Sequence, residues 1–301
     1  MNVTAVVLNW RRADDTIACV RALDVDRVIV VDNASGDDSI DKIVAACPGA
    51  ELVANERNDG YAGGNNVGIA RALDGRPDAV LILNNDVVVQ PDAIPILAQH
   101  LRGTTGIVAP LSLLDGTDGV IDFYTARVDL RHMALVARGR DEPEPSPPLT
   151  EPVVTDYATG SAILIEAELL RRLGGFDDRF FLVWEDVDLA LRARKTGARI
   201  LVVPRARVRH GRSRSFGSDG SPLYKYFFAR NSFLIVDKHV RWPWRGRTRA
   251  LIERRYESWS RQPGDEAAAR AIGLGLEHGR AGLFGPPPAE VVSALSGPAL
   301  S

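Results

Sequence analysis

Five polar clusters carry residue types that could do chemistry. Asn84-Asn85-Asp86 follows an apolar run at 79–83. A carboxylate just past a buried strand can reach a divalent cation, which takes hard oxygen ligands and keeps phosphate or water in its shell. A strand-capping turn is the structural alternative. Asp32 ends the run 27–31. It can accept a hydrogen bond from a pyrimidine N3–H or a ribose hydroxyl, or cap a helix together with Asn33 and Ser35. The Gly/Asn-rich segment 58–68 (NDGYAGGNNVG) would let backbone approach a phosphate or nucleoside. Its spacing is not G-x-G-x-x-G, which argues against a dinucleotide-binding oxidoreductase. Trp184-Glu185-Asp186-Val187-Asp188 sets carboxylates at a helix N-terminus, where the dipole stabilises them. A buried carboxylate among them would have a raised pKa and could serve as a general base; Asp188, inside the first turn, reads as structural. His210 is followed by Gly-Arg-Ser-Arg-Ser-Phe-Gly. That basic loop could close over a diphosphate, whereas a lone His is otherwise a surface or core residue.

These clusters need a scaffold, and the first hundred residues supply its signals. Apolar, β-branched runs at 3–8, 27–31 and 79–83 read as strands buried on both faces, with a short strand at 51–54. Helices are expected at 16–23, capped by Asp14 or Asp15, and at 62–73. The alternation predicts a parallel, doubly wound sheet with ligands at the strands' carboxyl ends. Asn9-Trp10, Asp32-Asn33 and Asn84-Asn85-Asp86 all fall there. Beyond, 119–137 suggests a hairpin or edge strands, and the Pro/Glu-rich 139–152 an exposed loop. Strands follow at 156–165 and 199–203. Helices follow at 166–173, 185–196 and 223–239, then one or two amphipathic helices to about 282 and an irregular end at 285–301.

Taken in order, the motifs resemble the family 2 glycosyltransferases, in the branch of bacterial rhamnosyl- and galactofuranosyl-transferase-like enzymes. The matching segments are VVLNW (6–10), VIVVDNASGDDS (28–39), NDGYAGGNNVGIARA (58–72), LILNNDVVV (81–89), the long 158–200 segment, VRHGRSRSFG (208–217) and YFFARNSFLIV (226–236). The resemblance implies a GT-A fold: an α/β, Rossmann-like, mostly parallel sheet flanked by helices. Residues 1–240 would form the catalytic domain and 241–301 a basic helical extension with a disordered end. It further implies a nucleotide-diphosphate sugar donor and inversion at the anomeric carbon. Carried over by position, Asn9, Asp32, Asn58, Gly64, Asn65, Asn84, Asn85, Arg212 and Arg214 would meet the donor, with Asp32 facing the pyrimidine. Asp86 and His210 would hold Mg²⁺ or Mn²⁺; Asn84 replaces the first Asp of the family's DxD. Asp186 matches the catalytic base. Gly160, Trp184, Glu185, Arg230 and Asn231 would shape the site for a glycan, lipid-linked or small-molecule acceptor. A nucleotide-sugar-binding protein without transfer activity is the alternative, against which Asp186, Asp86 and His210 speak.

Charge adds a last observation. The chain carries 37 Lys+Arg against 39 Asp+Glu, which excludes a general nucleic-acid binder. Yet 205–261 alone holds 15 basic against 4 acidic residues, together with half of the chain's aromatics. Its latter part, with Trp242, Trp244, Tyr256 and Trp259, suits either the surface of an anionic membrane or a solvated helix whose aromatics pack inward. A 45% apolar composition suffices for a large core. Two cysteines without CxxC spacing, no signal-peptide pattern and no spanning apolar run point to a cytoplasmic protein, peripheral to a membrane at most.

Overall fold

The computed structural model describes residues 1–211, 220–261 and 265–295. The chain opens with β1 (Val3–Asn9), α1 (Ala13–Arg21), β2 (Arg27–Asp32), α2 (Ser39–Ala46), β3 (Glu51–Ala54), α3 (Gly60–Asp74) and β4 (Ala79–Asn84). β1 pairs in parallel with both β2 and β4, and β2 with β3, as the continuous apolar runs require. Period-two alternation splits β1 between two cores. Val6 packs with Ile29, Ile69 and Ile82 on one face; Ala5 and Val7 pack with Val30, Ile43 and Leu81 on the other.

The two early helices begin sooner than the sequence suggested. Asp14 and Asp15 sit inside the first turn of α1 and make no side-chain cap; they act through the helix dipole instead. α3 starts at Gly60, so most of the Gly/Asn segment is helix rather than loop. Its glycines serve close packing. A Cβ at Gly68 would stand 2.4 Å from a methyl of Val6, and one at Gly64 2.6 Å from Leu8.

The second half adds β5 (Val87–Val89), α4 (Ala93–His100), β6 (Thr105–Leu114), β7 (Ile121–Phe123), β8 (Thr125–Asp129), β9 (Ala134–Arg138), β10 (Val153–Val154), β11 (Ala162–Glu166), α5 (Ala167–Leu173), α6 (Glu185–Lys195) and β12 (Arg199–His210). The main sheet runs β10-β12-β6-β11-β4-β1-β2-β3, with β5 on β12 and β7 on β6; β8 and β9 form a separate hairpin. β11 is antiparallel to both β4 and β6. Two pairings position chemistry. β5 runs antiparallel to the end of β12, with Val87 opposite His210, which brings His210 beside Asp86. β7 pairs with β6 so that Phe123 opposes Ser112, which sets Asp122 alongside.

Four helices finish the described chain: α7 (Pro222–His239), α8 (Trp242–Ser260), α9 (Glu266–Ala281) and α10 (Ala289–Leu295). They share cores with the rest. Ile252, Tyr256, Ile272 and Leu276 pack in the same cluster as Ile107 and Val187. α10 stands where an irregular end was expected, with Val291 and Leu295 buried beside Tyr226 and Phe227. Apolar burial fixes it despite the Gly-Pro-rich approach. No helix among the described residues is long and apolar enough to cross a membrane.

Candidate active site

One cavity of about 260 Å³ opens at the carboxyl ends of β1 and β4. Asn84, Asn85, Asp86, Gly160, Trp184, Glu185, Asp186 and His210, all expected at the site, line it.

One end is built around His210. Its Nε2 lies 3.3 Å from Asp86 Oδ1, and Asn84 Nδ2 stands 3.5 Å from the same nitrogen. Its Nδ1 meets Asp122 Oδ2 at 2.8 Å, an oxygen that also accepts from Ser112 Oγ at 2.9 Å. Burial disfavours charge on the ring, but the hydrogen bonds and charges of Asp122 and Asp86 outweigh it and raise the His210 pKa to about 9. Once a cation displaces the ring's Nε2 proton, an oxygen-plus-imidazole pair completed by substrate phosphates would fit Mg²⁺ or Mn²⁺. A carboxylate behind the imidazole is how metal-binding histidines are usually oriented. No three His, Cys, Asp or Glu side chains among the described residues are grouped to hold a metal alone, so a cation here would need the diphosphate oxygens.

The other end is built on the N-terminus of α6. Asp186 is half-buried on the cavity wall. Its Oδ1 accepts from Val187 N–H at 2.7 Å and its Oδ2 from Gly160 N–H at 3.3 Å. Burial outweighs these bonds and raises its pKa to about 6. Glu185 is buried beside it. Burial first, and then the Asp186 charge, hold Glu185 well above the usual carboxylate range. Its Oε2 has no hydrogen-bond partner among the described residues. The same burial that raises Glu185 well above its usual range leaves Asp186, with two backbone N–H donors, as the more readily ionised member of the pair.

The turn before α6 is strained. Phe181, Val183 and Trp184 all have positive φ, at 63°, 70° and 77°, a region costly for side-chain-bearing residues. Asn231 clamps it from behind. Its Nδ2 donates to the carbonyls of Phe180, Leu182 and Val183 at 2.8–2.9 Å. Arg230 donates to Phe180 and Gly285 carbonyls. Both residues are fully buried and neither lines the cavity. Expected at the acceptor, they instead shape the turn that carries Trp184.

The expected donor residues also divide. Asn9 and Asp32 lie in a closed cage under the strand ends. Asn9 Nδ2 donates to Asp32 Oδ1 at 2.7 Å, Ser35 N–H to Asp32 Oδ2 at 3.0 Å, and Thr16 Oγ1 to Asn9 Oδ1 at 2.6 Å. Asp32 is 1% exposed, so the pyrimidine-facing carboxylate is enclosed rather than presented. Asn85 joins the cage through Thr16 at 3.1 Å. Asn58, Gly64 and Asn65 are likewise off the cavity wall. Asn58 Oδ1 accepts from Asn33 Nδ2 and Gly60 N–H. Gly64 packs on Leu8, and buried Asn65 donates to the Tyr61 carbonyl. Arg212 and Arg214 lie outside the described residues. Trp10, Asn33 and Tyr61, which lay in the clusters read from the sequence without a role of their own, also line the wall, and sequence reading missed Asp122, Arg140, Tyr157, Tyr224 and Phe228. Asp122 lies in a weakly patterned strand and carries no local signal.

Comparison with known proteins bears on the family and the fold. Residues 2–223 match the family described as "Glycosyltransferase like family 2". The N-acetylglucosaminyl-diphospho-decaprenol L-rhamnosyltransferase of Mycobacterium tuberculosis is 28% identical over 248 residues, 72% of this chain and 76% of that one. The pre-mycofactocin glycosyltransferase of the same species is 30% identical, over 74% of this chain but 47% of its own length. The solved structure of GalNAc-T7 with UDP, GalNAc and Mn²⁺ superposes with a TM-score of 0.64 at 15% identity, over 98% of this chain and 58% of that one. That likeness is one of fold, the GT-A fold. The chain belongs to the family 2 glycosyltransferases, similar to their rhamnosyltransferase branch.

Proposed function

We propose that the protein transfers a sugar, with inversion, from a UDP- or dTDP-sugar to a hydroxyl of a glycan, lipid-linked or small-molecule acceptor. The observation that carries this reading is Asp186. It stands on the wall of the same cavity that Asp86 and His210 enter, with a pKa of about 6 and, beside it, a buried carboxyl held well above its usual range. A rhamnosyl donor and a lipid-linked acceptor are favoured by the name of the mycobacterial relative, which specifies both.

Asp186 accepts the proton of the acceptor hydroxyl as that oxygen forms its bond to the anomeric carbon. The nucleoside diphosphate leaves on the opposite face with the electron pair of the broken bond. The Gly160 and Val187 N–H groups hold the Asp186 oxygens in place. Trp184, stacked on Phe228 at 5.2 Å, gives the acceptor sugar a flat apolar wall. Arg140, at the cavity edge, contributes positive charge. Asp86 and His210 would hold Mg²⁺ or Mn²⁺ together with the diphosphate. That cation, when bound, offsets the charge developing on the leaving group. Asp32 reaches a pyrimidine only by exchanging its bond to Asn9 or Ser35.

A thermal-shift panel of nucleotide sugars with Mn²⁺ tests the donor, since a bound ligand raises the midpoint. Nucleotide release from the stabilising donor then tests transfer. Absence of any shift across UDP- and dTDP-sugars overturns the donor reading, and full activity in excess EDTA overturns the metal.

A further inference from the structure

We infer that the outward face of α8 docks on an anionic lipid surface. The helix has two unlike faces. Thr248, Ile252 and Tyr256, spaced by four, are buried against the catalytic body. Trp244, Arg247, Leu251, Arg254, Ser258 and Arg261 recur at alternating intervals of three and four on the opposite side, where all but half-buried Leu251 are exposed. Trp242 at the helix start is 81% exposed and Trp244 41%. The acidic residues of α8 do not neutralise this face. Glu253 and Glu257 pair with Arg280 of α9, and Arg261 reaches Glu257 only at 3.9 Å. Arg131, from the β8–β9 turn, adds a further cation over the Trp244 ring, 5.4 Å from its centre, as Arg247 does. Guanidinium groups around exposed indoles on one helix face match the anionic headgroups and the apolar boundary of a bilayer at once.

The position is also telling. Tyr256, on the buried side of α8, meets Phe228 edge-on at 6.0 Å, and Phe228 lines the cavity. Arg255 ties the helix to the carbonyls of His132 and Met133 in the β8–β9 turn. A lipid surface on the outer face would thus lie about one helix diameter, ~10 Å, from the cavity wall.

The full chain, sedimented with phosphatidylcholine vesicles with and without phosphatidylglycerol, is the test. Binding is expected to the anionic vesicles alone, and to weaken with salt. Each lost Arg should lower partitioning about fivefold, so Arg247→Glu with Arg254→Glu costs at least about 25-fold. Quenching of Trp emission by brominated lipid should fall in Trp242→Phe with Trp244→Phe. None of these side chains lines the cavity, so donor turnover without lipid should be unchanged and certifies the fold. Wild-type protein that ignores anionic vesicles at low salt, or an Arg variant that binds them equally, overturns the inference. Retention on an RNA oligomer but not on vesicles would assign the face to a nucleic acid and overturn it too.

Discussion

Asp122 holds His210. Its Oδ2 meets the ring Nδ1 at 2.8 Å, leaving Nε2 to point at Asp86. The two residues come from β7 and β12, which are not neighbours in the sheet; β6 lies between them. With Asp122 in place the imidazole has a fixed orientation and enhanced basicity. Asp122→Asn should therefore lower the apparent affinity for Mn²⁺ about 10- to 100-fold. A Mn²⁺ titration of nucleotide release measures it. Unchanged Mn²⁺ dependence would show that Asp122 merely fills space.

As the proposed general base, Asp186 would set the acid limb of activity. A general base works only when ionised, and its pKa is raised to about 6. Turnover should fall as pH drops through about 6 and level off above it. Asp186→Asn should cost about 10²–10⁴-fold in kcat with donor binding retained.

The same substitution should stabilise the fold. A carboxyl whose folded pKa lies above the unfolded value binds more protons when folded, so stability is lost as pH rises from about 4 to about 6. Removing the charge at pH 8 should recover up to about 3 kcal/mol, seen as a midpoint raised by a few degrees. A destabilised Asp186→Asn would mean that its bonds to Gly160 and Val187 outweigh its burial.

How much of this was legible follows from what makes each element. β1, β2 and β4 are continuous apolar runs and read directly, as did the polar clusters at their ends. Asp86, Asp186 and His210 were found because each closes or opens such an element. Arg230 and Asn231 came in only through the resemblance, as residues expected near the acceptor. Their targets are backbone carbonyls fifty residues away, which no local pattern encodes. Asp122 lay hidden because its role depends on β6, β7 and β12 coming together. Asp32 looked presented because strand ends usually are; three side chains that cage it come from α1, β1 and the following turn.

Gly160 links the base to the opposite wall. Its N–H donates to Asp186, and its carbonyl accepts from Tyr61 Oη at 2.6 Å. A Cβ there would meet Tyr61 Oη at 2.5 Å, so Gly160→Ala must shift the peptide or the ring. A displacement near 1 Å costs about 100-fold. We expect kcat in Gly160→Ala to fall by that order, with donor affinity little changed. Adding Tyr61→Phe removes the hydroxyl and should restore part of the loss; no restoration would place the defect elsewhere.

Asp188, two residues beyond Asp186 in the same helix, is predicted to be purely structural. It is fully buried and meets Arg192 Nε, Lys238 Nζ and His239 Nε2, each at 2.7 Å. The two cations, Arg192 and Lys238, and the His239 ring belong to α6 itself and to the end of α7, so the carboxylate locks the two helices that frame Trp184. Burial opposes its ionisation, but the bond from His239, the charge of Arg192 and the bond from Lys238 hold its pKa below the usual value. Its contribution is therefore present above the unfolded pKa of about 3.9 and lost as pH falls below it. Asp188→Asn leaves two partly buried cations without their fully buried counter-charge and should cost about 3 kcal/mol. Urea unfolding at pH 7 measures the loss, and it should shrink toward pH 3. Turnover per folded molecule should stay within a few-fold of wild type. A hundredfold drop in turnover with stability intact would move Asp188 from the scaffold into the chemistry.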